Sequence, residues 1–315
     1  MPTAVVIGAR RTRQGIGEFV TRWLHAGGAE IRGIVGTEPS TLDEALTNLK
    51  TQYGIEAHGY VSLDVALEEE RPDIVAICSP YRFHRAQLAS VAAFGCDCLC
   101  EKPMWWGDSA DRLAATEAIV DSFATKGKIL SLVTQWPFTL PCFYELYPEQ
   151  KDRPVESFEM LLSPMTKGPK MLLDSVSHPI SLLQELVGPG IIEEPQATYA
   201  PGSKRDDMTL SFQYRHATGT LLAKCRFATH PEPPRPAGYG INGCYAERRI
   251  DPEGYRIYFS SGEREVFVED PVKRLAEDFL RRVETRQPVD RRCLLESITH
   301  LDTLHQAGIG ATSYG

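Results

Sequence analysis

Apolar runs alternate with amphipathic stretches along the first third of the chain. The runs TAVVIGA, AEIRGIVG, PDIVAICSP, CDCLCEKP and ILSLVTQ are short and rich in β-branched or small residues, which predicts strands. Stretches such as GEFVTRWLHAGG and SADRLAATEAIVDSFATKG repeat apolar residues three and four apart, which predicts helices. Strands that alternate with helices form βαβ units, so we predict a doubly wound parallel α/β sheet over residues 1–130.

The pattern changes after about residue 150. VESFEMLLS, DMTLSFQYR, TGTLLAKCRFA, GYRIYFSS and REVFVED alternate apolar with polar residues, which is typical of half-buried antiparallel strands. A helical segment near residues 174–187 interrupts them, and the tail from VKRLAEDFLRRVETRQP onward is helical. We therefore predict a second, α+β domain over residues 131–315, with an open antiparallel sheet and helices.

Composition narrows the function classes. The 315 residues carry a net charge of −8, which argues against a nucleic-acid or anionic-membrane partner. The N-terminus MPTAVVIGAR enters a strand directly, without a basic leader, and no stretch of about 18 apolar residues exists. We expect a cytoplasmic location, where the eight cysteines stay reduced.

The segment CDCLC has three cysteines within five residues and invites comparison with a metal site. In a strand, Cys96, Cys98 and Cys100 would point to one side, about 6.6 Å apart. Two thiolates on one zinc ion lie only about 4 Å apart, so a straight strand cannot gather three of them. We predict a buried parallel strand and no metal site.

The first turn has the character of a dinucleotide-binding loop. Glycines let a backbone approach a pyrophosphate, and the start of the following helix attracts the anion. The loop is longer than the usual G-x-G-x-x-G, so a solvated surface loop is the alternative reading. The residues predicted to contact the nucleotide here are Gly8, Arg10, Arg11, Gly15, Ile16 and Gly17.

The end of the second strand bears on the choice of nucleotide. NAD enzymes commonly place an acidic residue there for the ribose hydroxyls, whereas this chain has Gly36 and Thr37, with Glu38 one place later. A neutral Thr37 beside the arginines of the first loop suits a 2′-phosphate. We predict NADP(H) as the favoured cofactor, with NAD(H) as the alternative if Glu38 turns inward.

Three further segments combine with this turn. They are Glu101-Lys102-Pro103 at a strand end, Ser79-Pro80-Tyr81-Arg82-Phe83-His84 before a helix, and Leu172-Leu173-Asp174-Ser175-Val176-Ser177-His178 before another. In this order they resemble the Gfo/Idh/MocA oxidoreductase family, over nearly the whole chain.

The resemblance implies a Rossmann domain followed by a domain whose large sheet serves as an oligomer interface, hence a homodimer or homotetramer. It also implies NAD(P)-dependent hydride transfer at a carbon that bears a hydroxyl, carbonyl or imine, with Lys102 in the active site. Asp174 and His178 match the family's D-x-x-x-H pair, and Ser79 and Pro80 match its nucleotide-contacting segment. We include His84 and Glu101 among the nucleotide contacts, with packing roles as their alternative.

The chemistry of these residue types agrees with catalytic roles. Hydride transfer at a C–O bond requires a proton to move at the oxygen, and histidine suits that task near neutral pH. Lys102 can donate a hydrogen bond to the same oxygen. Asp174, four residues before His178, can orient the imidazole or bind a substrate hydroxyl.

The chain departs from the family pattern near its histidine. Ser181 stands where a second Asp is common, and Tyr81 stands where Asn is common. Pro179 directly after His178 requires that a helix begins near Ser177 or kinks there. These departures put a polyol or simple sugar substrate in doubt.

Aromatic residues beside these motifs can contribute to a substrate pocket. Trp105 follows the Glu101-Lys102-Pro103 segment, and Trp136 follows Gln135 at the end of the last predicted Rossmann strand. We predict that Trp105, Gln135 and Trp136 line the substrate site with Lys102, Asp174 and His178, although packing between domains is the alternative for the indoles. Two rival functions stay open: a reductase of an imine or planar, tetrapyrrole-like substrate, and a non-catalytic nucleotide-binding sensor.

Overall fold

The structure is a computed structural model that describes residues 1–10, 15–107, 111–251 and 256–313. The chain divides into two compact units. The first contains Met1–Thr134 and Val272–Leu295, and the second contains Gln135–Pro271 and the residues from Glu296 onward. None of the described helices is long and apolar enough to cross a bilayer.

The first unit alternates strands and helices. Its strands are β1 (Thr3–Ile7), β2 (Glu30–Val35), β3 (His58–Tyr60), β4 (Ile74–Ile77), β5 (Asp97–Glu101) and β6 (Leu130–Val133). The helices between them are α1 (Gly17–Ala26), α2 (Pro39–Tyr53), α3 (Leu63–Glu70), α4 (His84–Phe94) and α5 (Arg112–Thr125).

The six strands form a parallel sheet in the order β3-β2-β1-β4-β5-β6. This order confirms the predicted doubly wound sheet. From β1 the chain adds β2 and β3 on one side and β4, β5 and β6 on the other, so the strand order reverses between β1 and β4. Every residue of β4 is buried, as expected for a central strand with both faces covered. Ligands of such sheets bind beyond the carboxyl ends of the strands at the reversal.

The CDCLC segment forms β5, and its three cysteines are fully buried. Burial raises the pKa of all three thiols, that of Cys96 to about 11, so they stay protonated near neutral pH. They fill the interior as small apolar side chains. Among the described residues, no group of three His, Cys, Asp or Glu side chains could hold a metal ion.

The second unit is built on a large sheet and short helices. Its helices are α6 (Leu140–Leu146), α7 (Lys170–Ser175) and α8 (Ser177–Val187). Its strands are β7 (Ser157–Leu162), β8 (Gly190–Tyr199), β9 (Asp207–His216), β10 (Gly219–Ala228), β11 (Ala237–Ile241), β12 (Cys244–Asp251), β13 (Arg256–Ser261), β14 (Arg264–Val268) and β15 (Thr312–Ser313).

Nine strands form this sheet in the order β14-β13-β12-β11-β7-β10-β9-β8-β15. Most neighbours are antiparallel, as predicted, but β7 pairs with β10 and β8 with β15 in parallel, so the sheet is mixed. Burial alternates along β10: Leu221 and Ala223 are buried, whereas Leu222 and Lys224 are exposed. One face therefore carries the core and the other is open.

Two C-terminal helices follow the large sheet, α9 (Pro271–Thr285) and α10 (Arg291–Ile309). The predicted second domain, residues 131–315, includes all of α9, whereas the compact units place Val272–Leu295 with the N-terminal residues. Polar contacts account for this. Just after α9, Arg286 bonds to both carboxylate oxygens of the buried Asp97, at 2.7 and 3.0 Å. Arg291 bonds to both oxygens of Asp121, at 2.7 and 2.9 Å.

Candidate active site

The turn after β1 is close-packed backbone. Gly8 has a φ of +82°, and a Cβ there would lie 2.8 Å from the carbonyl oxygen of Cys78. A Cβ on Gly17 would lie 2.1 Å from the carbonyl oxygen of Gly8. Only glycine fits at both positions, because the turn, the start of α1 and the end of β4 nearly touch.

This turn fits the requirements of a nucleotide phosphate. Ile16 immediately precedes α1, so the first amide groups of the helix belong to Gly17 and its successors. Those amides have no partner within their own helix and attract an anion. Gly8 and Gly17 thus fit a dinucleotide-binding turn, and nucleotide contacts of Gly8, Gly15, Ile16 and Gly17 stay a prediction. The predicted contact of Arg11 lies outside the described residues.

Arg10 and the end of β2 are the features on which the predicted choice of nucleotide depends. The Arg10 guanidinium forms an ion pair with Glu44 of α2, at 2.7 Å, and both side chains are about half exposed. Thr37 is exposed, and Glu38, just before α2, is exposed as well. The exposed Thr37 and Glu38 are compatible with either NAD(H) or NADP(H).

The loop after β4 carries the second predicted motif. The Ser79 hydroxyl donates to Oε1 of Gln87 in α4 at 2.6 Å. Pro80 precedes a short 3₁₀ helix over Tyr81–Phe83, and α4 begins at His84. Gln87 therefore helps to hold the Ser79 side chain. The sequence analysis did not single it out, because a glutamine inside a helix is most often a surface residue.

His84 is enclosed by the first unit, with 0% of its surface exposed. Its Nε2 lies 2.6 Å from the carbonyl oxygen of Ser79, and its Nδ1 lies 3.0 Å from that of Pro103. Burial lowers the pKa of His84. In place of the predicted nucleotide contact, the ring is committed to main-chain groups on two loops.

Lys102 follows directly after β5, with its side chain 17% exposed and Nζ 3.9 Å from Oε1 of Glu101. The peptide bond to Pro103 is cis. Because β1, β4 and β5 are adjacent and parallel, Gly8, Ser79 and Lys102 emerge at one edge of the sheet. The glycine turn, the Ser79 loop and Lys102 therefore lie at the carboxyl ends of adjacent strands within the first unit.

Trp105 occupies the core of the first unit rather than a pocket. The side chain is only 2% exposed, and its indole N–H donates to Oγ1 of Thr116 in α5 at 3.1 Å. The guanidinium of Arg85 lies 5.2 Å from the ring centroid. The predicted substrate contact of Trp105 is thus corrected to a packing role, because a large apolar ring next to an amphipathic helix is readily buried.

The second unit holds the predicted D-x-x-x-H pair. Asp174 lies in α7 and His178 in α8, with only Val176 between the helices. Val176 has helical dihedral angles, and its N–H bonds to the carbonyl of Leu172, so α7 closes with a helical turn directly before α8 begins. Asp174 thus lies in the last turn of α7 and His178 in the first turn of α8.

Pro179 fits because α8 begins at Ser177, which confirms the first of the two predicted alternatives. In the first turn of a helix, a proline removes an N–H that has no helical partner there. Asp174 accepts a hydrogen bond from Oγ1 of Thr166, at 2.5 Å. Thr166 was missed by the sequence because it lies eight residues away in a loop without a pattern.

His178 is buried against an aromatic cluster. The Trp136 ring lies 6.3 Å from the imidazole and also packs against Tyr239 and Phe259, at 6.0 and 6.4 Å between centroids. Trp136 is 4% exposed, and Gln135 before it is half-buried. The Trp136 indole therefore packs beside the His178 imidazole. A substrate contact for Gln135 stays a prediction.

Arg248 of β12 is a third residue that the sequence analysis did not single out. Its guanidinium carbon lies 5.6 Å from the centroid of Trp136, and it donates to the carbonyl of Arg235 at 2.8 Å. A positive charge thus lies two side chains away from His178. Strand alternation alone does not reveal this, because β12 carries arginines at two successive positions, one on each face.

Residues 3–134 match the sequence model of a family described as "Oxidoreductase family, NAD-binding Rossmann fold", GFO_IDH_MocA. Residues 3–134 therefore resemble the NAD-binding Rossmann domain of the Gfo/Idh/MocA oxidoreductases. This confirms the predicted family resemblance and the predicted Rossmann domain over these residues, and it agrees with the predicted oxidoreductase activity. The tetrapyrrole-reductase and sensor alternatives gain no support. No curated protein matches the sequence.

Solved structures are similar to this chain over both of its units. A probable dehydrogenase from Thermotoga maritima has a TM-score of 0.74 at 14% identity, and the match covers 98% of this chain and 97% of that one. Myo-inositol 2-dehydrogenase from Lactobacillus plantarum has a TM-score of 0.73 at 13% identity, with 98% of each chain covered. UDP-N-acetylglucosamine 3-dehydrogenase GnnA from Acidithiobacillus ferrooxidans has a TM-score of 0.69 at 19% identity, with 97% of each covered. At these identities the similarity shows a shared fold.

Proposed function

We propose that this oxidoreductase transfers a hydride between a nicotinamide nucleotide and a carbonyl or hydroxyl carbon of a small, sugar-like metabolite. The observation that carries the proposal is the position of Lys102 at the same sheet edge as the glycine turn of an NAD-binding Rossmann unit. The nicotinamide ring, when bound, supplies or accepts the hydride.

The side chains of this chain manage the proton and the position of the substrate. Lys102 is proposed to donate a hydrogen bond to the reacting oxygen, which stabilises negative charge as the carbonyl is reduced. His178 is proposed as the general acid or base for that oxygen. Asp174, already held by Thr166, is proposed to orient His178 or to bind a neighbouring hydroxyl.

The proposed substrate class is supported by two structural neighbours and qualified by one residue of α8. Two structural neighbours are named as dehydrogenases of a UDP-sugar and of an inositol, which favours a polyhydroxylated substrate. Ser181, in place of a common Asp, donates its hydroxyl to the carbonyl of His178 at 2.9 Å instead of offering a carboxylate. A screen should therefore include sugars with fewer free hydroxyls, cyclic imines and a tetrapyrrole.

The proposal is tested by following nucleotide absorbance at 340 nm with the purified chain and this substrate panel. We expect turnover with a hydroxylated or carbonyl compound and none with the tetrapyrrole. Turnover of the tetrapyrrole alone would favour the rival reductase. Tight nucleotide binding without turnover of any class would favour the sensor.

We propose NADP(H) as the preferred nucleotide, supported by the neutral Gly36-Thr37 end of β2 and by Arg10 beside α2. The Arg10→Ala change is expected to raise the Kd of NADPH about tenfold, the equivalent of one lost phosphate contact, and to change that of NADH little. Glu44→Gln is expected to tighten NADPH binding, because Glu44 competes for the guanidinium. Titration with quenching of tryptophan fluorescence measures both constants.

Arg32→Ala serves as the control, since Arg32 is an exposed arginine paired with Glu30 away from the turn. If wild-type protein binds NADH more tightly than NADPH and Arg10→Ala leaves the ratio unchanged, the NADP preference is refuted. The oxidoreductase proposal survives that result, since NAD(H) would then be the cofactor.

We also propose a homodimer or homotetramer formed through the open face of the large sheet, and a cytoplasmic location. Ile191, Leu222 and Phe267 are exposed on that face, with Leu222 57% exposed. All eight cysteines lie in the described residues as thiols rather than disulfides, which agrees with a reducing compartment.

The Leu222→Asp change is expected to lower the molecular mass in solution from that of a dimer or tetramer towards about 35 kDa. A buried charge without a partner destabilises an apolar interface. Light scattering after size-exclusion chromatography measures the mass. Leu113→Asp, an exposed leucine on α5 of the first unit, is the control and should keep the wild-type mass. A monomeric wild-type protein would refute the oligomer.

A further inference from the structure

One imidazole lies between two loops that carry the proposed chemistry. His84 opens α4, and its Nε2 lies 2.6 Å from the carbonyl oxygen of Ser79, on the loop after β4. Its Nδ1 lies 3.0 Å from the carbonyl oxygen of Pro103, on the loop after β5. The two acceptors are 24 residues apart in the sequence, so the ring joins loops that the backbone connects only through α4 and β5.

The imidazole of His84 is enclosed within the first unit. His84 is fully buried, and the Sγ of Cys100 lies 3.6 Å from Nδ1. Bonds to main-chain carbonyls fix the positions of the loops themselves, independently of their side chains. The hydroxyl of Ser79 is held by the same helix through Gln87, at 2.6 Å. The first turn of α4 therefore determines where the Ser79 loop lies.

The proton count adds a constraint. A ring nitrogen donates only when it carries hydrogen, so a neutral imidazole donates to one of the two carbonyl groups at a time and an imidazolium to both. Burial lowers the pKa of His84, which favours the neutral ring near neutral pH. Under those conditions, the hydrogen bond to one loop excludes the other. The two loops therefore share a single N–H donor. A movement of one loop changes the hydrogen bond that the ring can give to the other loop.

We propose that His84 is a positioning residue that couples the Ser79-Pro80 loop to the Lys102-Pro103 loop, and thereby sets the place of the Lys102 ammonium relative to the bound nucleotide. This inference rests on the proposed function in assigning the nucleotide to the first loop and catalysis to the second. An apolar residue of similar size would fill the space but hold neither carbonyl group. The ring is therefore a brace and not only a core residue.

The test uses the full-length protein and three variants. His84→Leu removes both ring nitrogens, His84→Gln keeps one amide donor group, and Val91→Ala trims a buried residue of α4 about two helical turns after His84. Hydrogen–deuterium exchange with mass spectrometry follows segments 79–83 and 101–105. Quenching of tryptophan fluorescence gives the Kd of NADH and of NADPH, and thermal melting reports global stability.

For His84→Leu, we expect faster exchange in both segments and a rise of about tenfold in the Kd of the preferred nucleotide, the size of one lost hydrogen bond to a held loop. His84→Gln is expected to protect one of the two segments again and to recover part of the affinity. Val91→Ala should lower the melting temperature while both segments and the Kd stay as in the wild type.

The proposal is overturned if both segments exchange at the same rate in His84→Leu as in the wild type. It is also overturned if Val91→Ala accelerates exchange in both segments. An unchanged Kd in a folded His84→Leu protein that binds nucleotide would overturn it as well. If His84→Leu does not fold, the His84→Gln protein decides. Wild-type protection of both segments in His84→Gln would also overturn the proposal. If wild-type protein binds neither nucleotide, the proposed function fails, and exchange alone decides whether His84 joins the loops.

Discussion

The Lys102→Met protein is expected to lose about 10²- to 10⁴-fold in kcat on any substrate that the wild type turns over, the range seen when a positioned proton-transfer or hydrogen-bonding group is removed. Methionine keeps a flexible apolar stem but has no N–H to offer the reacting oxygen. The Kd of the nucleotide should change by less than about tenfold, because the glycine turn and the Ser79 loop remain. Steady-state kinetics and fluorescence titration measure the two quantities separately.

Lys50→Met is the matched control. Lys50 lies on α2 of the same unit, with its side chain mostly exposed and paired with Glu56 at 2.7 Å. Its loss should leave kcat and nucleotide binding unchanged, since exposed ion pairs contribute little. An active Lys102→Met protein would remove the central residue of the proposed mechanism, while the similarity of residues 3–134 to an NAD-binding Rossmann domain would stand.

The second large effect is expected from His178→Asn. Asparagine can still form hydrogen bonds but cannot exchange a proton near neutral pH, so kcat should fall by about 10²- to 10⁴-fold with little change in nucleotide Kd. Asp174→Asn should have a smaller effect on kcat, because it keeps the bond from Thr166 and loses only the carboxylate charge. The ratio of the two losses separates proton transfer by His178 from orientation by Asp174.

His216→Asn is the control for this pair. His216 ends β9 in the same unit, with Nδ1 at 3.2 Å from Oγ1 of Thr218, and has no place in the proposed site. A His178→Asn protein with wild-type kcat would show that the imidazole is a packing residue of the Trp136 cluster. Melting curves of all three variants exclude loss of the fold as the cause.

Much of the first unit could be predicted from the sequence because its signals are local. Alternating apolar runs and amphipathic helices predict a parallel sheet, and the strand CDCLC ends at Lys102 as expected. For Pro179 the sequence left two alternatives, a helix that begins near Ser177 or a kink, and the structure has the first of them. Each of these depends on residues within a few positions of one another, where spacing has a direct geometric meaning.

Other features depend on contacts between distant segments. The sequence does not distinguish a tryptophan that lines a pocket from one in the core, and Trp105 proved to be buried against Thr116. The same holds for His84, which looks like a helix-capping residue until Pro103 appears beside its ring. The place of α9 with the first unit depends on Arg286 reaching Asp97, 189 residues earlier.

By itself, the sequence determined the order of strands and helices, the family resemblance of the first unit and the residue types at the candidate site, because these follow from periodicity and from short motifs. Only the tertiary structure decided the parallel pairing of β7 with β10, the burial of Trp105 and the commitment of His84 to two carbonyl groups. The physical reason is that burial and hydrogen-bond partners are properties of segments brought together by folding. Spacing along the chain carries no information about which distant atoms will meet.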